Sequence, residues 1–231
     1  MKALATDSFQ QEGTGLSRVE YAYRKIKTNI TTNTYPSGYQ ILEPELAEQL
    51  GVSRTPIREA LIRLEADNLI QLIPRRGMRV TPLNFKDIAE INELIGSLVL
   101  TAIRSVCAPA RNANFEYMSQ YLAELHTALE SNDAKAWVEA EDKFFISLMA
   151  LTGNYRLKGL AVNFLDQMRR SKYVVQDYLL ERSSYYALHA DLLQSLKSKN
   201  VASAFDAAKR YQNALNALFS EVQNKYQIKE F

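Results

Sequence analysis

The 231-residue chain holds one cysteine, two histidines and eight glycines. No stretch approaches the roughly 18 to 20 uninterrupted apolar residues that a membrane span needs. The lone Cys107 excludes an internal disulfide and fits a reducing cytoplasm. Its setting, Ser105-Val106-Cys107-Ala108, reads as a small buried residue rather than a nucleophile. Glycine is too thinly spread for a phosphate-cradling loop, no nucleophile elbow occurs, and Cys107, His126 and His189 form no metal-type cluster. These absences remove the main enzyme classes. The first residues lack the basic stretch and apolar core of a secretory signal, so a cytoplasmic chain with no membrane partner is expected.

Charge is also scarce in net terms. The formal balance is +2, and all of it lies early: residues 1–80 carry 11 Lys/Arg against 9 Asp/Glu, the remainder 17 of each. An excess this small gives no general attraction to nucleic acid, so any such role must come from where individual arginines stand.

The richest stretch is Leu46 to Leu61, LAEQLGVSRTPIREAL. It reads as a short helix, a tight turn and a second helix. Gly51 can take the left-handed backbone that ends the first helix, and Val52 then points inward. Ser53 can cap the second helix through its hydroxyl, and Pro56 falls in the first turn, where its missing N–H costs nothing. At about 100° per residue, Ile57, Ala60, Leu61 and Leu64 share one stripe, suited to packing. Arg54, Thr55, Arg58 and Ile62 share another. Two arginines one turn apart at the start of an exposed helix can reach guanine edges or phosphates in a DNA major groove.

A hairpin follows. Leu69 to Ile73 is β-prone, Pro74-Arg75-Arg76-Gly77-Met78 is a turn, and Arg79-Val80-Thr81 returns. Gly77 supplies the unusual backbone angle, and Arg75 and Arg76 sit at the tip, shaped to enter a minor groove beside the helix. Upstream, a helix is predicted from about Ser17 to Asn33, with Val19, Tyr23, Ile26 and Ile30 on one face. Tyr39 to Leu42 is a short strand able to pair with the hairpin. Residues 1–15 are polar and unpatterned and read as a loose tail.

The run LAEQLGVSRTPIREALIRLEADNLIQLIPRRGMRV resembles the DNA-binding domain of the GntR family of bacterial transcription regulators, over about the first third of the chain. Two departures stand out. Asn68 replaces the usual glycine before Leu69-Ile70, a mild change because asparagine tolerates left-handed angles. Pro44 and Glu45 stand where relatives often carry a basic residue, so one phosphate contact is expected to be missing.

Beyond a boundary placed near residue 82, almost everything reads as helix, at about 85–108, 113–131, 133–152, 155–175, 182–199 and 201–226. Breaks at Pro109, Ser131-Asn132, Gly153-Asn154 and Lys199-Asn200 separate them. The fold class expected is mainly α: an N-terminal winged helix-turn-helix over residues 16–82, then an all-α helical bundle over 83–231.

Three segments of the bundle resemble the FCD-type effector domain of the FadR branch: Asp142-Lys143-Phe144-Phe145-Ile146 with Gly153-Asn154, His189-Ala190-Asp191-Leu192-Leu193, and Ala204 to Tyr211. Many members of that branch bind a divalent metal through one Asp and three His. The matching positions here are Asp142, Ile146, His189 and Tyr211, so two imidazoles are gone. Isoleucine has no lone pair, and a tyrosine hydroxyl titrating near 10 is a poor ligand. No metal or other cofactor is therefore expected, and the four positions become candidates for effector binding. Ile95 and Val99 appear where the branch usually has Arg and Glu, which suggests a more apolar cavity. The frequent tyrosines, Tyr173, Tyr178, Tyr185, Tyr186 and Tyr211 among them, read mostly as core or half-buried packing.

The resemblance implies a homodimeric regulator. Ser53, Arg54, Thr55, Arg58, Arg75, Arg76 and Gly77 would contact a palindromic double-stranded operator, and a small-molecule effector in the bundle would favour one spacing of the two reading heads. Repression and activation both fit. The rival is a small-molecule- or metal-binding helical protein that uses the winged helix for protein contacts; removing residues 1–82 separates the two.

Overall fold

The computed structural model describes residues 16–176 and 182–226. The expected tail at 1–15 and Tyr178 lie outside the described residues. The order is α1 (Arg18–Thr31), β1 (Gln40–Ile41), α2 (Glu43–Leu50), α3 (Arg54–Ala66), β2 (Ile70–Ile73), β3 (Gly77–Val80), then α4 (Phe85–Val106), α5 (Glu116–Glu130), α6 (Ala134–Leu151), α7 (Tyr155–Gln176), α8 (Arg182–Lys197) and α9 (Val201–Tyr226). The six helices predicted after residue 82 are these last six: α4, α5, α6 and α8 are shorter by a few residues, α7 is longer by one, and α9 has the predicted bounds.

In the first unit, α1, α2 and α3 close on one another through Ala22, Ile26, Ile30, Leu46, Ile57, Ala60, Leu61 and Leu64, all with no exposed surface. Burying each large aliphatic chain of this set contributes about 1.5–3 kcal/mol. The predicted α1 face is only half kept: Val19 and Tyr23 are half-buried and Ala22 takes the inner position. Gly51 ends α2 in the left-handed region, φ 65°. Pro44 sits in the first turn of α2, and the Glu45 carboxylate accepts the Leu42 N–H at 3.3 Å. The residues that replace a basic group therefore serve to start a helix.

The sheet has the order β1-β3-β2, both pairs antiparallel, with Ile41 opposite Met78 and Ile70 opposite Val80. The short strand before α2 thus pairs with the returning arm of the hairpin, as its sequence suggested. Asn68 takes φ 61° at the turn out of α3, the angle a glycine would otherwise supply.

Thr81-Pro82-Leu83 leads to α4, which starts with a reciprocal cap: Asp87 N–H donates to Asn84 Oδ1 at 2.9 Å, and Asn84 N–H to Asp87 Oδ2 at 3.0 Å. Asp133 caps α6 by accepting from Ala136 N–H at 2.9 Å, and Asn154 caps α7 by accepting from Arg156 and Leu157 N–H at 3.1 Å. Asn132, Gly153 and Lys199, at the predicted breaks, all adopt positive φ. The bundle core is formed by residues such as Ile103, Phe144, Leu148, Met168 and Leu196. It is a separate apolar cluster from that of the winged unit. Cys107 is buried, as expected for a packing residue. Among the described residues no helix is long and apolar enough to cross a membrane.

Candidate functional site

Ser53, Arg54, Thr55 and Arg58 are exposed at the start of α3, while Ile57, Ala60, Leu61 and Leu64 on its other stripe are fully buried. The helix is therefore held by one face and presents the other. Ser53 occupies the N-cap position with extended backbone, but its side chain makes no capping bond, contrary to the sequence expectation. That leaves the opening N–H groups of α3 without a side-chain cap, as at helix starts that receive phosphate.

Arg75 and Arg76 are exposed at the hairpin tip. The turn is tighter than predicted: β3 already begins at Gly77, and Arg75 as well as Gly77 is left-handed, φ 64° and 76°. Gly77 itself is half-buried, and a Cβ there would run into the Ile41 carbonyl and Leu42 Cα. Its part is to let the wing close against β1. Arg58 of α3 and Arg75 of the wing line one groove of about 490 Å³, with Glu43 and Pro44 on its rim. One arginine from each of the two sets read separately from the sequence, Arg58 and Arg75, thus borders a common surface.

The second candidate site lies inside the bundle. His189 is buried, with its ring against Phe144, Phe145, Tyr211 and Trp137 at centroid distances of 5.2, 5.4, 4.9 and 6.2 Å. Its Nδ1 is 2.7 Å from the Tyr185 carbonyl oxygen, an acceptor, so Nδ1 carries the proton. Nε2 then faces Glu141 Oε1 at 3.6 Å without a hydrogen bond. Burial pushes the His189 pKa below its ordinary value, only partly opposed by Glu141. The Tyr211 hydroxyl is buried beside the Glu141 carboxylate, and burial together with that carboxylate drives its pKa well up.

Beside this aromatic group sits a cluster that the sequence reading missed. Lys172 Nζ lies 2.9 Å from both Glu141 Oε2 and Asp142 Oδ1, and Arg169 Nε donates to Asp142 Oδ2 at 2.6 Å. Glu141, Asp142 and Lys172 are each at most 2% exposed. Burial alone would discharge Lys172, but the two carboxylates outweigh it and hold its pKa above the ordinary range. Burial would likewise raise Glu141, yet Lys172 and His189 bring it below its ordinary value. The expectation of an apolar cavity holds on one side only, where Ile95, Val99, Phe145 and Tyr211 border a gap of about 20 Å³. The other side is charged.

These positions do not fit a four-ligand metal centre. Both Asp142 oxygens are engaged by cations, and the Lys172 ammonium stands where a second positive charge would be repelled. Ile146, one turn along α6, does not join the group: it lines a different groove of about 380 Å³ with Tyr117, Met118, Tyr121, Lys143 and Lys158. Asp142, His189 and Tyr211 do converge, around Glu141 and Lys172. A signal for the charged cluster was present in the sequence as Asp166, Arg169 and Lys172, three apart on one helix, but nothing local marks those residues as buried.

Residues 18–80 match the family described as bacterial regulatory proteins of the gntR family, and residues 90–214 match the FCD domain. An HTH-type transcriptional regulator from Agrobacterium vitis, from the TAR-I ttuE-ttuC' intergenic region, is 36% identical over 150 residues, covering 64% of this chain and 85% of the relative. The regulator YdhC of Bacillus subtilis is 30% identical over 185 residues, with 79% and 82% covered. Among solved structures, Escherichia coli McbR/YncC superposes with a TM-score of 0.77 at 20% identity, over 89% of this chain and 98% of its own. With an exposed recognition helix and basic wing on one unit and an FCD bundle as the other, the chain belongs to the GntR family of DNA-binding transcription regulators, in the branch that carries an FCD domain.

Proposed function

We propose that the protein works as a homodimer on a palindromic operator. Ser53, Arg54, Thr55 and Arg58 enter the major groove, Arg75 and Arg76 hold the adjacent backbone or minor groove, and Gly77 shapes the wing tip. The observation that carries this reading is the shared groove bordered by Arg58 and Arg75. One winged helix covers few base pairs; two joined copies combine their affinities on half-sites about one or more helical turns, roughly 34 Å each, apart. The test is sequencing of genomic DNA fragments retained by the purified protein. Recovered fragments should share two-fold related half-sites and should be lost with Arg58→Ala. Fragments with a single unrepeated site would overturn the dimer reading.

The helical domain is proposed to take a small-molecule effector, with no metal or other cofactor, at Asp142, His189 and Tyr211. Ile146 lines a different groove, between α5 and α6. The gap beside Tyr211, about 20 Å³, has room for little more than a water, so an effector there has to part α9 from α4. That opening is the conformational step by which occupancy would be felt elsewhere. Cytoplasmic action follows from a DNA target.

A further inference from the structure

Among the described residues the apolar cores of the winged unit and of the bundle are separate clusters. The polar contacts between the two units among the described residues converge on α7. Lys27 of α1 pairs with Asp166. Asn163 donates to Asp67, at 3.3 Å to both its carbonyl and its carboxylate. Arg170 donates to the Thr81 carbonyl just past the wing. Asp67 is the C-cap of α3, so the end of the recognition helix is itself tied to α7.

These contacts continue inward. From Asp67 the carboxylate accepts the Tyr23 hydroxyl at 2.6 Å, and Lys27 Nζ donates to the same hydroxyl at 3.1 Å. Lys27 meets Asp166, and Asp166 Oδ1 lies 3.5 Å from Arg169 Nη2. Arg169 holds Asp142, Asp142 shares Lys172 with Glu141, and Glu141 faces His189 at 3.6 Å. With the Tyr23 hydroxyl bridging Asp67 to Lys27, the charges alternate from there inward: Lys27, Asp166, Arg169, Asp142, Lys172, Glu141. Asp166, Asp142, Lys172 and Glu141 are each at most 5% exposed, so solvent screens these pairs poorly and each charge depends on its neighbours. An exposed surface pair would carry no such dependence.

We propose that this line of alternating charges couples the helical-domain site to the recognition helix, with Lys27 and Asp166 as positioning residues for DNA binding. Anything that moves or neutralises Glu141 or Lys172 leaves Asp142 and Arg169 with an unbalanced partner. The adjustment passes along α7 to Asp166, and thence to α1 and the end of α3. A reading head no longer pinned by Lys27 and Asp166 has to be ordered when it binds, which lowers affinity without removing a DNA contact. The proposal rests on the effector reading above for its use, but the coupling itself needs no effector.

The experiment is a double-mutant cycle on the full-length protein, read as the dissociation constant for a fragment recovered from genomic DNA, at fixed salt and at a temperature where circular dichroism shows every variant folded. Asp166→Asn and Lys172→Met should each weaken binding at least fivefold, although neither side chain is on the DNA face. The double variant should bind no worse than the weaker single, because a line already cut is not cut twice. Lys27→Met should match Asp166→Asn, and Lys27→Arg should restore most of the affinity. If Lys172→Met fails to fold, the charge-balanced Glu141→Gln/Lys172→Met pair takes its place in the cycle. Effects that multiply in the double variant, or parental affinity in Asp166→Asn, would overturn the coupling. An effector that binds elsewhere would leave the cycle intact and overturn only the effector reading.

Discussion

Arg54 and Arg58 owe their availability to their neighbours. Because Ile57, Ala60, Leu61 and Leu64 anchor α3, the arginines spend none of their reach on packing. Changing either to alanine should cost specific binding about 1–3 kcal/mol where it reads a guanine bidentately. The thermal midpoint should stay put, since neither side chain contributes to the core. Titration of a labelled operator at fixed salt checks this, and unaltered affinity in both variants would take α3 out of the reading role. Inside the bundle the informative residue is Lys172. Its ammonium is tethered between Glu141 and Asp142, and a divalent ion competing for those oxygens has to displace it. Protein purified without chelator should therefore lose any metal on dialysis, and its melting should not respond to added zinc, nickel or manganese. Near-stoichiometric metal that survives dialysis and disappears in His189→Ala would contradict this.

At the scale of elements, the wing is a separate lever from the recognition helix. Its tip holds two exposed arginines on a turn that needs left-handed backbone at both Arg75 and Gly77. The Arg75→Ala/Arg76→Ala variant should weaken binding to many sequences alike. It should also flatten the slope of log affinity against log salt by up to about 2, since each phosphate contact released accounts for about 0.9. A salt slope equal to the parent's would show that the tip does not touch the backbone. These elements were largely legible in advance. Gly51, Asn68 and Gly77 marked the left-handed turns by their residue types, and the three-and-four spacing of Ile57, Ala60, Leu61 and Leu64 marked the buried stripe. Two local details were not legible. Ser53 had the right type for a cap, but whether a hydroxyl turns back to the helix depends on a rotamer that the residue type leaves free. Nor did the sequence show that Glu45, where relatives often carry a basic residue, accepts the Leu42 N–H.

Across the whole molecule, separate cores joined by polar contacts should melt separately. Calorimetry is expected to show two overlapping transitions. Leu64→Ala removes a fully buried side chain from the first core and Phe144→Ala one from the second, at about 2–5 kcal/mol each. Each should lower one transition and leave the other nearly in place; a single transition moved equally by both would show one cooperative body. The sequence by itself determined the winged helix, the six later helices and the exposed arginines. These follow from periodicity, caps and turn residues acting over a few positions, where chain connectivity already fixes the neighbours. It also marked Asp142, His189 and Tyr211, because their types departed from a pattern or matched it. Only the tertiary structure decided that Ile146 lines another groove, that Lys172 fills the space between two carboxylates, and that Lys27 meets Asp166. Burial of a charge is a property of the surroundings: a lysine on an amphipathic helix looks the same in sequence whether water or a distant carboxylate receives it, and only packing of remote segments chooses between them.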